Sequence, residues 1–304
     1  MGTPAAAVPS LERLLSDGYD VVAVYTQPDR PSGRGNKITF SPIKEFALKR
    51  GLAVFQPLKV RTPEALEEFR SHAADVAVVV AYGRILPETF LNAFPNGAIN
   101  VHFSLLPKYR GAAPVNWAIV NGETKTGVTT MQMDVGLDTG PMLLQRTIAI
   151  GENENAIELM ERLSLVGAGL LSETLAGLDS IVPIKQEHEH ATLAPIMKRE
   201  DGLIDWSLTA REITNRIRGF QPFPTAFITV DGQKLTFWKA EPVESEETGR
   251  AGQIIAAKGD ELLIACGEGT GLRVAELQPE GKRRMATRDF LNGTKLSVGD
   301  ILGV

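Results

Sequence analysis

The sequence predicts an α/β domain with a doubly wound, mainly parallel sheet, followed by a small β-barrel domain. Three observations carry this. Short apolar runs alternate with helical patterns through the first half, the rhythm of βαβ units. One run, DVAVVVAYG (75–83), is apolar throughout, as a parallel strand buried on both faces must be. Beyond residue 203 the pattern changes to short alternating strands with close turn signals.

The elements follow in order. VVAVYT (21–26) reads as a strand, and SPIKEFALKRG as a helix opened by Ser41 and Pro42 and closed by Gly51. TPEALEEFRSHA is a second helix starting at Thr62-Pro63, and PETFLNAF is a short third. AINVHF is a strand, TGVTTMQMD (126–134) and MLLQRTIAI (142–150) are two more joined by a loop, and a long helix runs from about Glu154 to Leu178. VPIKQEHEHATLAP (182–195) is polar, aperiodic and bounded by prolines, so it reads as a linker. After the helix near TAREITNRIRGF, Asp231-Gly232 between alternating strands signals a hairpin. The expected division is 1–181 for the first domain, 182–203 for the linker and 204–304 for the second.

The 304 residues are 43% hydrophobic and 23% charged, ordinary for a soluble globular chain. No apolar run reaches membrane-spanning length, and the N-terminus lacks a signal-peptide pattern. A single cysteine, Cys266, forbids an intrachain disulfide and points to a reducing, cytoplasmic compartment. Its strand-like setting, ELLIACGEG, marks it as a buried structural thiol. The net charge of −5 disfavours a general nucleic-acid coat while leaving room for a local basic surface.

INVHFSLLPKYRGAAP (99–114) holds the first chemical candidates. Strand alternation turns Asn100 and His102 toward one space, at the point where strand gives way to loop. On spacing alone, a capping Asn with a satisfied His is equally open. MDVGLDTGP (133–141) adds Asp134 and Asp138 in a glycine-rich turn. A carboxylate in this loop can reach the neighbouring strand end and hold His102 in one tautomer, and Asp134 itself reads better as a turn-forming residue. Asn, His and Asp without a neighbouring nucleophile suit a reaction whose substrate supplies one. His188 and His190 lack enough ligand-type neighbours in the sequence for a metal site, and no metal is expected.

These stretches resemble a known family. INVHFSLLPKYRGAAP is similar to the signature of the folate-dependent formyltransferases, and MDVGLDTGP to their aspartate loop. GTPAAAVPSLERLL, VYTQPDRPSGRGNKI (24–38), KREDGLIDWSLTAREITNRIRGFQPFP and EGKRRM resemble the branch acting on methionine carried by initiator tRNA. The resemblance implies a Rossmann-like, formyltransferase-type first domain and an OB-like barrel that binds tRNA. It implies transfer of the formyl group of 10-formyltetrahydrofolate to the α-amine of initiator methionyl-tRNA, with no obligate protein partner and no membrane. The alternatives are another formyltransferase using the same donor and a hydrolase of that donor.

Residue by residue, the resemblance places Asn100, His102 and Asp138 on catalytic positions. It carries the folate over Ser104, Leu105, Leu106 and Pro107, with AYGRILP (81–87) lining the same pocket. Arg30, Arg34 and Lys37 match a loop that enters the acceptor end of tRNA, and Arg216, Arg218, Lys282, Arg283 and Arg284 form a candidate basic track. Two departures stand out. Ala5-Ala6 and Phe103 differ in size from the family's usual residues, which bears on pocket shape. The family's GTP motif also follows an apolar strand, whereas Met1 directly precedes Gly2-Thr3-Pro4. The expectation is a start codon upstream, with apolar faces and unpaired backbone flanking the place of a missing strand.

Overall fold

The structure, a computed structural model, describes residues 1–32, 37–244 and 249–303. The chain divides into two compact units. The first comprises Met1–Pro114, Lys125–Ala149 and Met160–Ala194, and the second Val115–Thr124, Ile150–Leu159 and Pro195–Val304. No helix among the described residues is long and apolar enough to cross a membrane.

In the first unit, the strands Val24–Tyr25 and Val54–Phe55 pair in parallel, as do Ala77–Val79 and Ala98–His102. Lys125–Gln132 then joins Ala98–His102 antiparallel, and Met142–Ala149 extends that edge as a hairpin partner. The sheet is therefore mixed, its parallel part lengthened by an antiparallel pair. The helices start where the sequence places them: Ser41 Oγ accepts from Lys44 N to cap Pro42–Lys49, and Thr62 Oγ1 accepts from Ala65 N to cap Pro63–Ser71. An aromatic core of Tyr25, Phe69, Tyr82 and Phe90 lies within this unit.

Met1 and Gly2 sit between the two parallel pairs. Gly2 N donates to Tyr25 O at 2.9 Å, the Met1 ammonium donates to Val78 O at 2.7 Å, and Val80 N donates to Met1 O at 2.9 Å. Beside them lies a cavity of about 320 Å³ lined by Leu14, Val21, Ala23, Val76, Val78 and Phe94, among others.

The second unit is built on an antiparallel sheet in the order Ala226–Val230, Gln233–Glu244, Thr270–Pro279, Glu261–Ala265, Ile254–Lys258, with Met285–Ala286 pairing Thr270–Pro279. Asp231 and Gly232 form the predicted two-residue turn, both with positive φ (+49° and +75°). The helix Ala210–Gly219 is capped reciprocally by Thr209 and Glu212, and packs Ile213 and Ile217 onto the sheet core. Cys266 is buried as predicted, and burial pushes its thiol up to about 12.

Candidate active site

Val79 pairs with Asn100, so the parallel strands end at a common carboxyl edge, where open α/β sheets place their ligands. Asn100 and His102 share one face of the strand there, and Phe103 turns to the other face. Phe103 is 5% exposed and packs toward Gly167 of the helix Ala156–Ala176, where a Cβ would stand 3.4 Å from the ring. Its bulk is therefore taken up inside the fold.

Immediately after His102 the chain makes a tight turn. Ser104 Oγ donates to Lys108 O at 2.6 Å, Thr129 Oγ1 donates to Ser104 O at 2.7 Å, and Leu106 N donates to Thr129 Oγ1 at 3.1 Å. Gln145 Nε2 adds a bond to Leu106 O at 2.8 Å. The turn returns the carbonyl of Tyr109 to His102 Nε2, at 2.9 Å. A carbonyl only accepts, so Nε2 carries the proton and Nδ1 keeps its lone pair in the neutral ring. The tautomer is thus set by Tyr109, not by Asp138 as the sequence suggests.

Asp138 approaches the other nitrogen. Its Oδ2 lies 3.6 Å from His102 Nδ1 and accepts from Gly111 N at 2.9 Å, while Oδ1 accepts from Asn100 Nδ2 at 3.4 Å. Gly111 is required at that donor position: its φ is +120°, and a Cβ would stand 2.7 Å from Ala194 O. Asp134 folds the loop as expected, accepting from Gly136 N at 3.0 Å and Thr139 Oγ1 at 2.7 Å. Asn100, His102 and Asp138 therefore converge. The side chains of His102 and Asp138 are 6% and 16% exposed, so charge developed here is poorly screened.

The other sequence candidates divide. Ser104 and Leu106 are sealed within the turn, leaving Leu105 and Pro107 half-buried. Sequence reasoning missed Val135 and Leu137, apolar residues of the Asp138 loop that are 68% and 61% exposed. Arg30 is exposed on the ladder formed by Arg30–Ser32 and Lys37–Thr39, which also contains the backbone of Lys37; Arg34 lies outside the described residues. Arg216 sits over the ring of Phe220, 5.8 Å from its centroid. Arg218 is taken up internally: Nη1 donates to Gly151 O at 3.2 Å and Glu154 O at 2.8 Å, and Nη2 to Asn215 Oδ1 at 2.7 Å. A basic residue next to a polar one in an amphipathic helix reads as surface charge, yet here backbone carbonyls of the same unit claim it. Arg284 pairs with Glu276 and lies 5.2 Å from the Trp238 ring centroid.

Comparison with known proteins gives the same picture along the whole chain. Residues 1–175 match the family model described as formyl transferase, and residues 196–295 its C-terminal domain. The methionyl-tRNA formyltransferase of Solibacter usitatus is 51% identical over 305 residues, spanning 100% of this chain and 97% of its own. That of Caldanaerobacter subterraneus subsp. tengcongensis is 52% identical, over 99% and 98% respectively. Among solved structures, an N-formyltransferase from Helicobacter canadensis in complex with folinic acid and dTDP-3-aminofucose aligns with a TM-score of 0.66 at 21% identity, covering 90% of this chain and 96% of that one. HypX from Aquifex aeolicus with tetrahydrofolic acid aligns at 0.58 and 18%, covering 84% and 47%. At these identities the solved structures speak to the fold.

Proposed function

The chain belongs to the formyl transferase family, and from that premise we propose how its carboxyl-edge site works. It is an enzyme that transfers a formyl group from a folate-derived donor to methionyl-tRNA. In this reading the donor is 10-formyltetrahydrofolate, the acceptor is the α-amine of initiator methionyl-tRNA, and the reaction takes place in the cytoplasm.

The observation that carries the mechanism is the division of labour on His102. Nε2–H is committed to the Tyr109 carbonyl, and Nδ1 faces the Asp138 carboxylate. As the amine nitrogen bonds to the formyl carbon, Nδ1 takes the proton that the nitrogen sheds. The imidazolium so formed lies beside a carboxylate that attracts it. Asn100 Nδ2, bonded to Asp138 only at 3.4 Å, is free to swing its donor to the oxyanion. The carbon–nitrogen bond to the folate then breaks, and that nitrogen leaves with the proton returned by His102. Every proton shed is taken up within the site, and no charge is left uncompensated.

The folate is assigned to the Ser104–Pro107 turn, through Leu105 and Pro107, because Ser104 and Leu106 are closed off. Val135 and Leu137 add apolar surface in the Asp138 loop, suited to the face of a flat heterocycle. Arg30, Arg34, Lys37 and Arg216 remain the proposed tRNA contacts, and Arg218, two residues from Arg216, bonds to Gly151, Glu154 and Asn215.

The test is formyl transfer from 10-formyltetrahydrofolate to charged initiator tRNA, with formate release followed in parallel. Transfer by the wild type and a loss on the order of 10²–10⁴-fold in His102→Ala support the reading. Formate release independent of tRNA would instead identify a hydrolase, and transfer to another amine would move the acceptor.

A further inference from the structure

Residues 184–194, which the sequence presents as a linker, form a strap across the active-site turns. Aperiodic, polar composition signals no regular element, but these polar groups find backbone partners. At one end Ile184 and Met142 exchange backbone hydrogen bonds at 2.8 Å in both directions. At the other, Leu193–Ala194 pairs in parallel with Arg110–Gly111. Just before that, Tyr109 N donates to Thr192 Oγ1 and Arg110 N to Thr192 O, both at 2.9 Å.

Between the two anchors lies Gln186, only 2% exposed. Its Nε2 donates to Asp138 O at 2.9 Å and Gly140 O at 2.7 Å. Its Oε1 accepts from Arg110 Nε at 3.0 Å and Nη2 at 2.7 Å. Both amide hydrogens and both lone pairs are used, leaving the side chain no spare valence for another orientation. Arg110 is itself 6% exposed, and its Nη1 donates to His188 Nδ1 at 3.1 Å.

Tyr109 and Asp138, the residues that face the two nitrogens of His102, share a second property. Both are non-glycine residues with left-handed backbone, at φ +61° and +52°. Such conformations persist only where surrounding bonds hold them. The strap supplies a bond to each: Thr192 to Tyr109 N, and Gln186 to Asp138 O.

We propose that Gln186 and Thr192 are positioning residues, which fix the Asp138 carboxylate and the Tyr109 carbonyl on opposite sides of the His102 ring. This rests on the catalytic roles given above. Neither residue touches the reacting atoms.

The test compares Gln186→Glu and Thr192→Val with wild type. Gln186→Glu keeps the acceptor for Arg110 and replaces the two donors with a second oxygen facing two carbonyls. It should lower kcat about tenfold or more, by analogy with other outer-shell orienting groups, with KM for donor and acceptor within about twofold and tetrahydrofolate binding unchanged. Nitrogen-15 NMR of the His102 ring, distinguished from the other three histidines by the His102→Ala spectrum, gives a readout independent of any substrate. Wild type should show the Nε2–H tautomer, and both variants should shift the tautomer population.

Unchanged kcat and ring spectra in a folded Gln186→Glu would overturn the proposal. So would a loss of kcat accompanied by an equal loss of folate binding, which marks a general structural role. Where Gln186→Glu does not fold, Thr192→Val decides through the same spectra, because it deletes a single hydroxyl. If wild type fails on methionyl-tRNA, the acceptor assignment falls while the ring spectra still decide the strap.

Discussion

His102 Nε2 lies 2.9 Å from the carbonyl oxygen of Tyr109, seven residues along the chain, and this bond leaves Nδ1 as the ring nitrogen available for chemistry. The relationship is produced by a local turn, so the ring is oriented before Asp138, from a distant loop, contributes anything. Two consequences can be measured.

Removing the ring should remove proton transfer. His102→Ala is expected to lower kcat/KM by on the order of 10²–10⁴-fold, the usual worth of a positioned acid–base group. Asp138→Asn should cost about 10²-fold. Where the aspartate dictates the tautomer, the same change costs about 10⁴-fold, but here Tyr109 dictates it. A pre-steady-state measurement of formyl transfer separates these values. A 10⁴-fold loss for Asp138→Asn would sink the assignment of the tautomer to Tyr109.

Phe103, expected from the sequence to bear on pocket shape, faces away from His102 toward Gly167. Phe103→Ala should therefore destabilise the protein by about 3–5 kcal/mol, as deletion of a buried ring does, with KM for the folate donor unchanged. Denaturant unfolding gives the first quantity and steady-state kinetics the second. A change in KM without loss of stability would place the ring in the pocket instead.

The two arginines Arg30 and Arg218 should behave differently. Arg30 is exposed, so Arg30→Ala should reduce the salt dependence of tRNA binding by about one unit of slope. Arg218→Met should leave that slope unchanged and destabilise the protein by about 2 kcal/mol, because the carbonyls of Gly151 and Glu154 lose a donor. Filter binding across a salt series, beside a melting curve, distinguishes them. A fall in slope for Arg218→Met would return it to the RNA surface.

What the sequence made legible was whatever local chemistry dictates. The helix starts at Ser41 and Thr62, the Asp231-Gly232 turn, the Asp134 turn and the shared face of Asn100 and His102 all follow from a few neighbouring residues. What it hid was long-range. Gln186 reaches Asp138 across 48 residues, and nothing in the string QEHEH separates a buried amide from a solvated one. Tyr109 acts through its backbone carbonyl, which every residue possesses, so its identity carries no signal. Arg218 shows the reverse: its charge is read from its residue type, whereas its partners, the Gly151 and Glu154 carbonyls and the Asn215 side chain, come only with the fold.

Cys266 makes the last prediction. Burial pushes its thiol up to about 12 from its ordinary value of 9.0. The thiolate is the reactive form, so the folded protein should keep this thiol inert. A thiol reagent at pH 8 should label Cys266 only as fast as the second unit opens, and denaturant should raise labelling to the rate of a free cysteine. Labelling of the native protein at the free-thiol rate would overturn the burial of Cys266.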